Sequence, residues 1–272
     1  MKLIVILHFV CLAHLVVADK CRCHENTTLQ KPVTSQPPVI GKRGLAYNDA
    51  RLANDFRQLC EKCTWGYNWS WSDNGLSNET EFVPMLWGEN TASQLQGNLG
   101  HLRDRGLKHI LGFNEPDLAA QANMPVERAV NLHIAYLNQY AGVSRIGSPA
   151  VTSDAASAKG LDWLRKFLDL CSKRGCKVDF CAVHWYGEAS QADALFTFLH
   201  QAQRACPGKP IWLTEFNVTG TNEEASSFLK QVLPTLDGLE FVQRYAWFMT
   251  ATGYLFQSPG VLSAYGDDYS SL

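Results

Sequence analysis

Two glutamates stand out by what precedes them. Glu115 ends an apolar run in His109-Ile-Leu-Gly-Phe-Asn-Glu-Pro-Asp117, and Glu215 does the same in Pro210-Ile-Trp-Leu-Thr-Glu-Phe-Asn217. Each carboxylate follows a small polar residue, Asn114 or Thr214, and Pro116 stops the first run. Apolar runs of strand length followed by amphipathic helical stretches are the pattern of buried parallel strands. Two carboxyl groups at one mouth suit the cleavage of a glycosidic bond. One protonates the leaving oxygen; the other attacks the anomeric carbon or activates water. A shared pocket separates their acidities through mutual repulsion and unequal burial.

The two acids sit a hundred positions apart, so the chain between and around them must supply a scaffold. From Lys42 onward, strand and helix signals alternate. Strands are expected at 43–48, 64–69, 81–87, 109–115, 145–151, 178–186, 209–217 and 239–250. Asp49 caps a helix carrying Leu52, Phe56 and Leu59 on one face. Further helices are expected at 91–105, 125–140, 161–171, 191–205 and 223–233, with a polar loop and no helix after the second strand. In the second of these, after the opening Pro125, Val126, Ala129, Val130, His133 and Leu137 form one stripe. About 20 residues follow the last strand, so a final helix must be short. Eight strands alternating with helices in about 230 residues predict an α/β fold, a single (β/α)8 TIM barrel over 42–272. Glu115 and Glu215 then cap strands four and seven of one barrel mouth, where such barrels do their chemistry.

The N-terminus points to export. Lys2 precedes an apolar stretch from Leu3 to Val17, with Val16 and Ala18 suited to signal peptidase, so 1–18 is expected to be a cleaved signal peptide. Residues 19–41 form a polar, Pro-containing tail carrying Cys21 and Cys23. Removing Cys11 leaves eight cysteines, an even number that favours disulfides in a secreted chain. Their pairing stays open, and Cys21-x-Cys23 and Cys60-x2-Cys63 could in principle hold zinc instead. Of four Asn-x-Ser/Thr sequons, Asn26 and Asn78 lie in loop-like segments, whereas Asn68 and Asn217 end candidate strands and are expected to stay unmodified.

A net charge of −2 without a basic block argues against a nucleic-acid partner. Beyond the leader, no segment has the roughly 20 apolar residues that a membrane-spanning helix needs. Eight tryptophans are many, and aromatic faces serve sugars as platforms. No Gly-rich phosphate loop, Ser-His-Asp ordering or His-x3-His spacing occurs, so no cofactor and no metal is inferred.

The set Trp65-Gly-Tyr-Asn-Trp69, Leu111-Gly-Phe-Asn-Glu-Pro116, Val183-His-Trp-Tyr-Gly187 and Trp212-Leu-Thr-Glu-Phe216 resembles glycoside hydrolase family 128, the glycosyl hydrolase catalytic core proteins. The likeness runs from about Lys42 to Tyr265 and leaves out the Cys-containing tail. It implies a (β/α)8 barrel with retaining endo-β-1,3-glucanase activity, Glu115 as acid/base and Glu215 as nucleophile. Asn114 is then placed to bond the 2-hydroxyl of the reacting sugar. Tyr186 is expected to hold Glu215. His184, two residues earlier on the same strand face, is expected to contact sugar or brace the acid. Trp247 is the expected stacking floor, and Tyr67, Asn68, Trp69, Trp87 and Trp185 are further cleft candidates.

The reading is a secreted, monomeric endo-β-1,3-glucanase whose partner is the polysaccharide substrate. Two alternatives are a clan relative acting on another β-glycan and a glucan-binding protein without turnover.

Overall fold

The computed structural model describes residues 41–272. The expected signal peptide, the tail up to residue 40 with Cys21 and Cys23, and the Asn26 sequon lie outside the described residues.

Eight parallel strand segments form a ring. β1 (Arg43–Ala46) lies between β2 (Cys63–Tyr67) and β8 (Val242–Trp247), and β2 is followed by β3 (Glu81–Phe82). On the other side β8 pairs with β7 (Ile211–Thr219), and β7 with β6 (Cys181–Glu188). β4 (His109–Ile110) pairs with β5 (Arg145–Ile146). Single parallel bridges close the circuit: Met85 to Leu111 links the third and fourth runs, and Gly147 to Phe180 and Val151 to Val183 link the fifth and sixth. This is the expected (β/α)8 barrel.

The third to fifth strands ladder for only two residues each, although longer runs were expected. Pro84 and Pro149 have no N–H to give. Gly112 lets the fourth run approach the fifth closely, because a Cβ there would lie 2.7 Å from the Ser148 carbonyl oxygen.

Side-chain alternation sorts the core into two layers. Inside the barrel lie Ala46, Trp65, Tyr67, Val83, Met85, Leu111, Ala150, Phe180, Ala182, Trp212 and Ala246. Residues of opposite parity, such as Leu45, Ile110, Val183, Leu213 and Tyr245, face the helices.

The helices largely follow the expected pattern. α1 (Ala50–Leu59) begins at Asp49, whose carboxylate accepts Arg51 N–H at 2.9 Å. The helix expected at 91–105 is instead split at Asn98 into α2 (Ala92–Gly97) and α3 (Leu99–Asp104), where Gly97 and Gly100 weaken helical propensity. α4 (Val126–Tyr136) gives way to a 3-10 turn over Asn138–Tyr140. α5 (Gly160–Arg174) ends on Gly175 at φ 81°, a left-handed cap. α6 (Ala192–Ala205) is as expected.

α7 (Asn222–Gly238) opens with a capping box of Thr221 and Glu224 and continues past Pro234, where the sequence suggested a stop. Burial of Leu233 and Leu236 outweighs the lost N–H, and the Lys42 ammonium caps the far end on the carbonyls of Leu236 and Leu239. A hairpin of β9 (Phe256–Ser258) and β10 (Val261–Leu262) precedes α8 (Ala264–Ser271), the short last helix. Disulfides join Cys60 to Cys63, Cys171 to Cys176 and Cys181 to Cys206, so the Cys60-x2-Cys63 pair is a staple rather than a zinc knuckle.

The N-terminal end of the barrel is plugged by charge. Glu81 accepts from His109 Nδ1 and Arg244 Nη2, each at 2.6 Å, and the guanidinium lies 4.5 Å from the Trp212 ring centre. Burial opposes the Glu81 carboxylate, but the His109 bond and the Arg244 charge outweigh it and pull its pKa down to about 2.

Candidate active site

The other end of the barrel holds both predicted acids. Glu115 and Glu215 are each more than nine-tenths buried, and both line one cavity of about 550 Å³. A carboxylate oxygen of each, together with His184 Nδ1, lies within 4.8 Å of the others. The intervening chain places them on strand runs three positions apart around the ring, and backbone irregularities aim them inward. At the end of the fourth run Glu115 takes φ 45°, a left-handed conformation that a side chain rarely adopts. Its N–H is held by Ala150 O at 2.8 Å, and Asn114 N–H by Trp87 O at 2.9 Å. On β7 the register shifts between Leu213 and Phe216, so Glu215 joins Trp212 on the inner side while Phe216 returns to the outer layer.

Donors crowd Glu215. Trp69 Nε1 reaches Oε1 at 2.7 Å, the Tyr67 hydroxyl is 3.4 Å from the same oxygen, and the Tyr186 hydroxyl reaches Oε2 at 2.5 Å. Burial, reinforced by the Glu215 charge, raises the pKa of both phenols, so each keeps its proton and donates. Trp69 itself sits at φ 57°, a second strained position at the site.

His184 stands between the acids. Its Nδ1 is 2.8 Å from Glu115 Oε1 and 3.5 Å from Glu215 Oε2. Burial works against the imidazolium, yet the Glu215 charge and the Glu115 bond prevail and its pKa is raised. This trio is the one cluster among the described residues with the donor atoms for a metal ion. Asn114 donates to Gln121 Oε1 at 3.2 Å, and its buried Oδ1 meets no donor among the described residues.

The structure therefore brings together Glu115, Glu215, Asn114, His184, Tyr186, Tyr67 and Trp69. It separates the rest. Trp247 is not the stacking floor: it is 1% exposed and faces the helix layer, packed on Phe216, Phe228 and Tyr265. Its neighbour Phe248 lines the cavity in its place, touching Trp69 and Tyr186. Trp185 also faces outward and stacks on Phe228 of α7. Asn68 is buried and donates to Ser72 O at 2.7 Å, and Trp87 packs half-buried against the barrel interior; neither lines the cavity. The Asn217 amide likewise is spent on Phe248 O, whereas Asn78 is exposed.

Sequence reasoning missed Phe248, and also Leu118, Gln121, Thr152, Ser153 and Asp154 of the loops after the fourth and fifth strands. Alternation along the strand explains Phe248 once the barrel shows Ala246 inside: 248 then points in and 247 out.

The family described as glycosyl hydrolase catalytic core matches residues 44–269. Among solved structures, a curdlan-specific exo-β-1,3-glucanase of glycoside hydrolase family 128 from Blastomyces gilchristii is 38% identical, with a TM-score of 0.78 over 86% of this chain and 100% of that one. An endo-β-1,3-glucanase of the same family from Amycolatopsis mediterranei, solved in complex with laminaripentaose, is 31% identical, with a TM-score of 0.71 over 85% and 98%. Alkali-sensitive linkage protein 1 of Schizosaccharomyces pombe is 33% identical over 258 residues, 86% of this chain. The chain spans 45% of that relative's length.

Proposed function

The chain belongs to the glycosyl hydrolase catalytic core family, glycoside hydrolase family 128, and from that premise we propose that it hydrolyses β-1,3-glucan with retention of configuration. The observation that carries this reading is the proximity of the two acids. One carboxylate oxygen from each acid within 4.8 Å of the other supports double displacement, which uses carboxyl groups about 5–5.5 Å apart, over single displacement, which uses roughly 6.5–9.5 Å.

Glu215 is the nucleophile. Trp69 Nε1 and the Tyr186 hydroxyl fix its carboxylate, one on each oxygen, and attack on the anomeric carbon forms a glycosyl ester as the C–O bond to the leaving sugar breaks. Glu115 gives its proton to that leaving oxygen, then takes one from water as the ester is hydrolysed. Asn114 Oδ1 accepts from the 2-hydroxyl, and Phe248 offers the reacting sugar an apolar face.

The mode of attack is endo, as in the Amycolatopsis relative. A second reading, release of single glucose from chain ends, is favoured by the higher identity to the exo-acting Blastomyces enzyme. Export, the remaining part of the proposal, is supported by three disulfides, which persist in oxidising compartments. No helix among the described residues is long and apolar enough to cross a membrane.

The experiment is incubation with linear β-1,3-glucan oligomers, following product length and first-formed anomer. Initial β-anomer and mid-chain products agree with the proposal. Initial α-anomer overturns retention, glucose alone selects the exo mode, and no cleavage beside turnover of another β-glycan overturns the substrate.

A further inference from the structure

We propose that Asp117 is the positioning residue that holds the acid/base Glu115 in its strained conformation, an inference that rests on the catalytic reading above. Asp117 lies two residues beyond Glu115, on the loop that leaves the fourth strand run. Its carboxylate reaches across to the neighbouring loop. Oδ2 accepts from Thr152 Oγ1 at 2.5 Å and from Gly160 N–H at 2.8 Å, and both oxygens lie 3.3 Å from Thr152 N.

These partners are themselves fixed. Gly160 is the first residue of α5, a helix of 15 residues, so Asp117 places a negative charge against the positive end of that dipole. Gly160 takes φ 47°, and a Cβ there would lie 2.2 Å from Asp154 O, so the backbone that donates to Asp117 tolerates no side chain. Thr152 lines the catalytic cavity and directly follows Val151, the residue bridged to β6.

Glu115 needs such an anchor. With φ at 45° its own backbone preference would swing the carboxylate elsewhere. The strand side supplies fixed points upstream, Asn114 N–H on Trp87 O and Glu115 N–H on Ala150 O. Downstream, the turn Leu118 N–H to Glu115 O at 3.1 Å is local and moves with the loop. Asp117 supplies the downstream fixed point, on an element outside that loop. His184 Nδ1 holds the Glu115 carboxylate itself at 2.8 Å, while Ala150 O on one side and, through Asp117, the start of α5 on the other fix the backbone that carries it. Displacing an acid by about 1 Å costs on the order of a hundredfold in rate.

The test uses the full chain with Asp117→Ala and the milder Asp117→Asn, on two substrates differing only in the leaving group. A laminari-oligosaccharide needs its leaving oxygen protonated; a 2,4-dinitrophenyl β-laminaribioside does not. The expected result for Asp117→Ala is a kcat on the oligosaccharide lower by about ten- to a hundredfold, with KM within about threefold. Release of dinitrophenol in the pre-steady-state burst stays near wild type, and added azide speeds turnover by substituting for the base-assisted water. Asp117→Asn, keeping one acceptor oxygen, falls between.

Equal losses on both substrates, or no loss on either, with unchanged thermal unfolding would overturn the proposal. If Asp117→Ala fails to fold, the same comparison on Asp117→Asn decides it. A wild-type protein that cleaves neither substrate would instead overturn the catalytic reading, so the two failures are distinguishable.

Discussion

His184 Nδ1, on a fully buried side chain, lies 2.8 Å from Glu115 Oε1. Glu215 Oε2 stands 3.5 Å from the same nitrogen. One imidazole thus spans the two acids that the proposed mechanism uses in sequence, and its proton offsets the repulsion between them. The chemistry at this site depends on where that proton sits.

Titration of His184 should therefore limit activity on the alkaline side. Its folded pKa is raised above 6.5 despite the opposing effect of burial, chiefly by Glu215 and Glu115. The sign follows: the stabilisation is fully present below pH 6.5 and is lost as pH rises through the folded value. Thermal unfolding of wild type should fall across that rise, and His184→Gln should flatten the fall while lowering kcat. An unchanged alkaline slope in the variant would rule this out.

Glu115→Gln and Glu215→Gln should each reduce turnover of β-1,3-glucan by about a thousandfold or more, as loss of an acid/base or a nucleophile does. They should differ in rescue. Azide should restore turnover of a dinitrophenyl substrate to Glu115→Gln and not to Glu215→Gln. More than a tenth of wild-type activity in either variant would contradict its assignment.

The Glu81 triad should make the fold acid-sensitive. Its pKa is held down at about 2 in the fold from an ordinary 4.5, so its contribution is present above pH 4.5 and is lost as pH falls through 2. Glu81 is 14% exposed, and the shift corresponds to about 3 kcal/mol at neutral pH. Urea unfolding of Glu81→Gln should show a loss of that order at pH 7, shrinking toward pH 2. A loss that stays constant over that range would show that packing, not charge, is responsible.

Phe248 and Trp247 should separate binding from stability. Phe248→Ala removes an apolar face from the cavity and should raise KM for oligosaccharides by about tenfold, with little change in unfolding temperature. Trp247→Ala empties a site that is 1% exposed, and should cost about 3–5 kcal/mol of stability. The opposite pattern would restore Trp247 as the platform.

The sequence by itself determined the strand and helix order and the placement of Glu115, Glu215, Asn114, His184 and Tyr186 at strand ends. Those follow from periodicity and from residues adjacent on one strand, which local chain geometry fixes. It did not determine which bulky residue faces the sugar. Trp247 is the larger ring, but side chains alternate along β8, and only the ring of strands reveals which parity points inward. Nor could it reveal the reach of Asp117 to Gly160, 43 residues away, or the bulge that turns Glu215 into the barrel. Such contacts arise when the ring closes and sets the spacing between loops that are remote in the chain. Local sequence chooses the elements; the closure of the barrel chooses what they face.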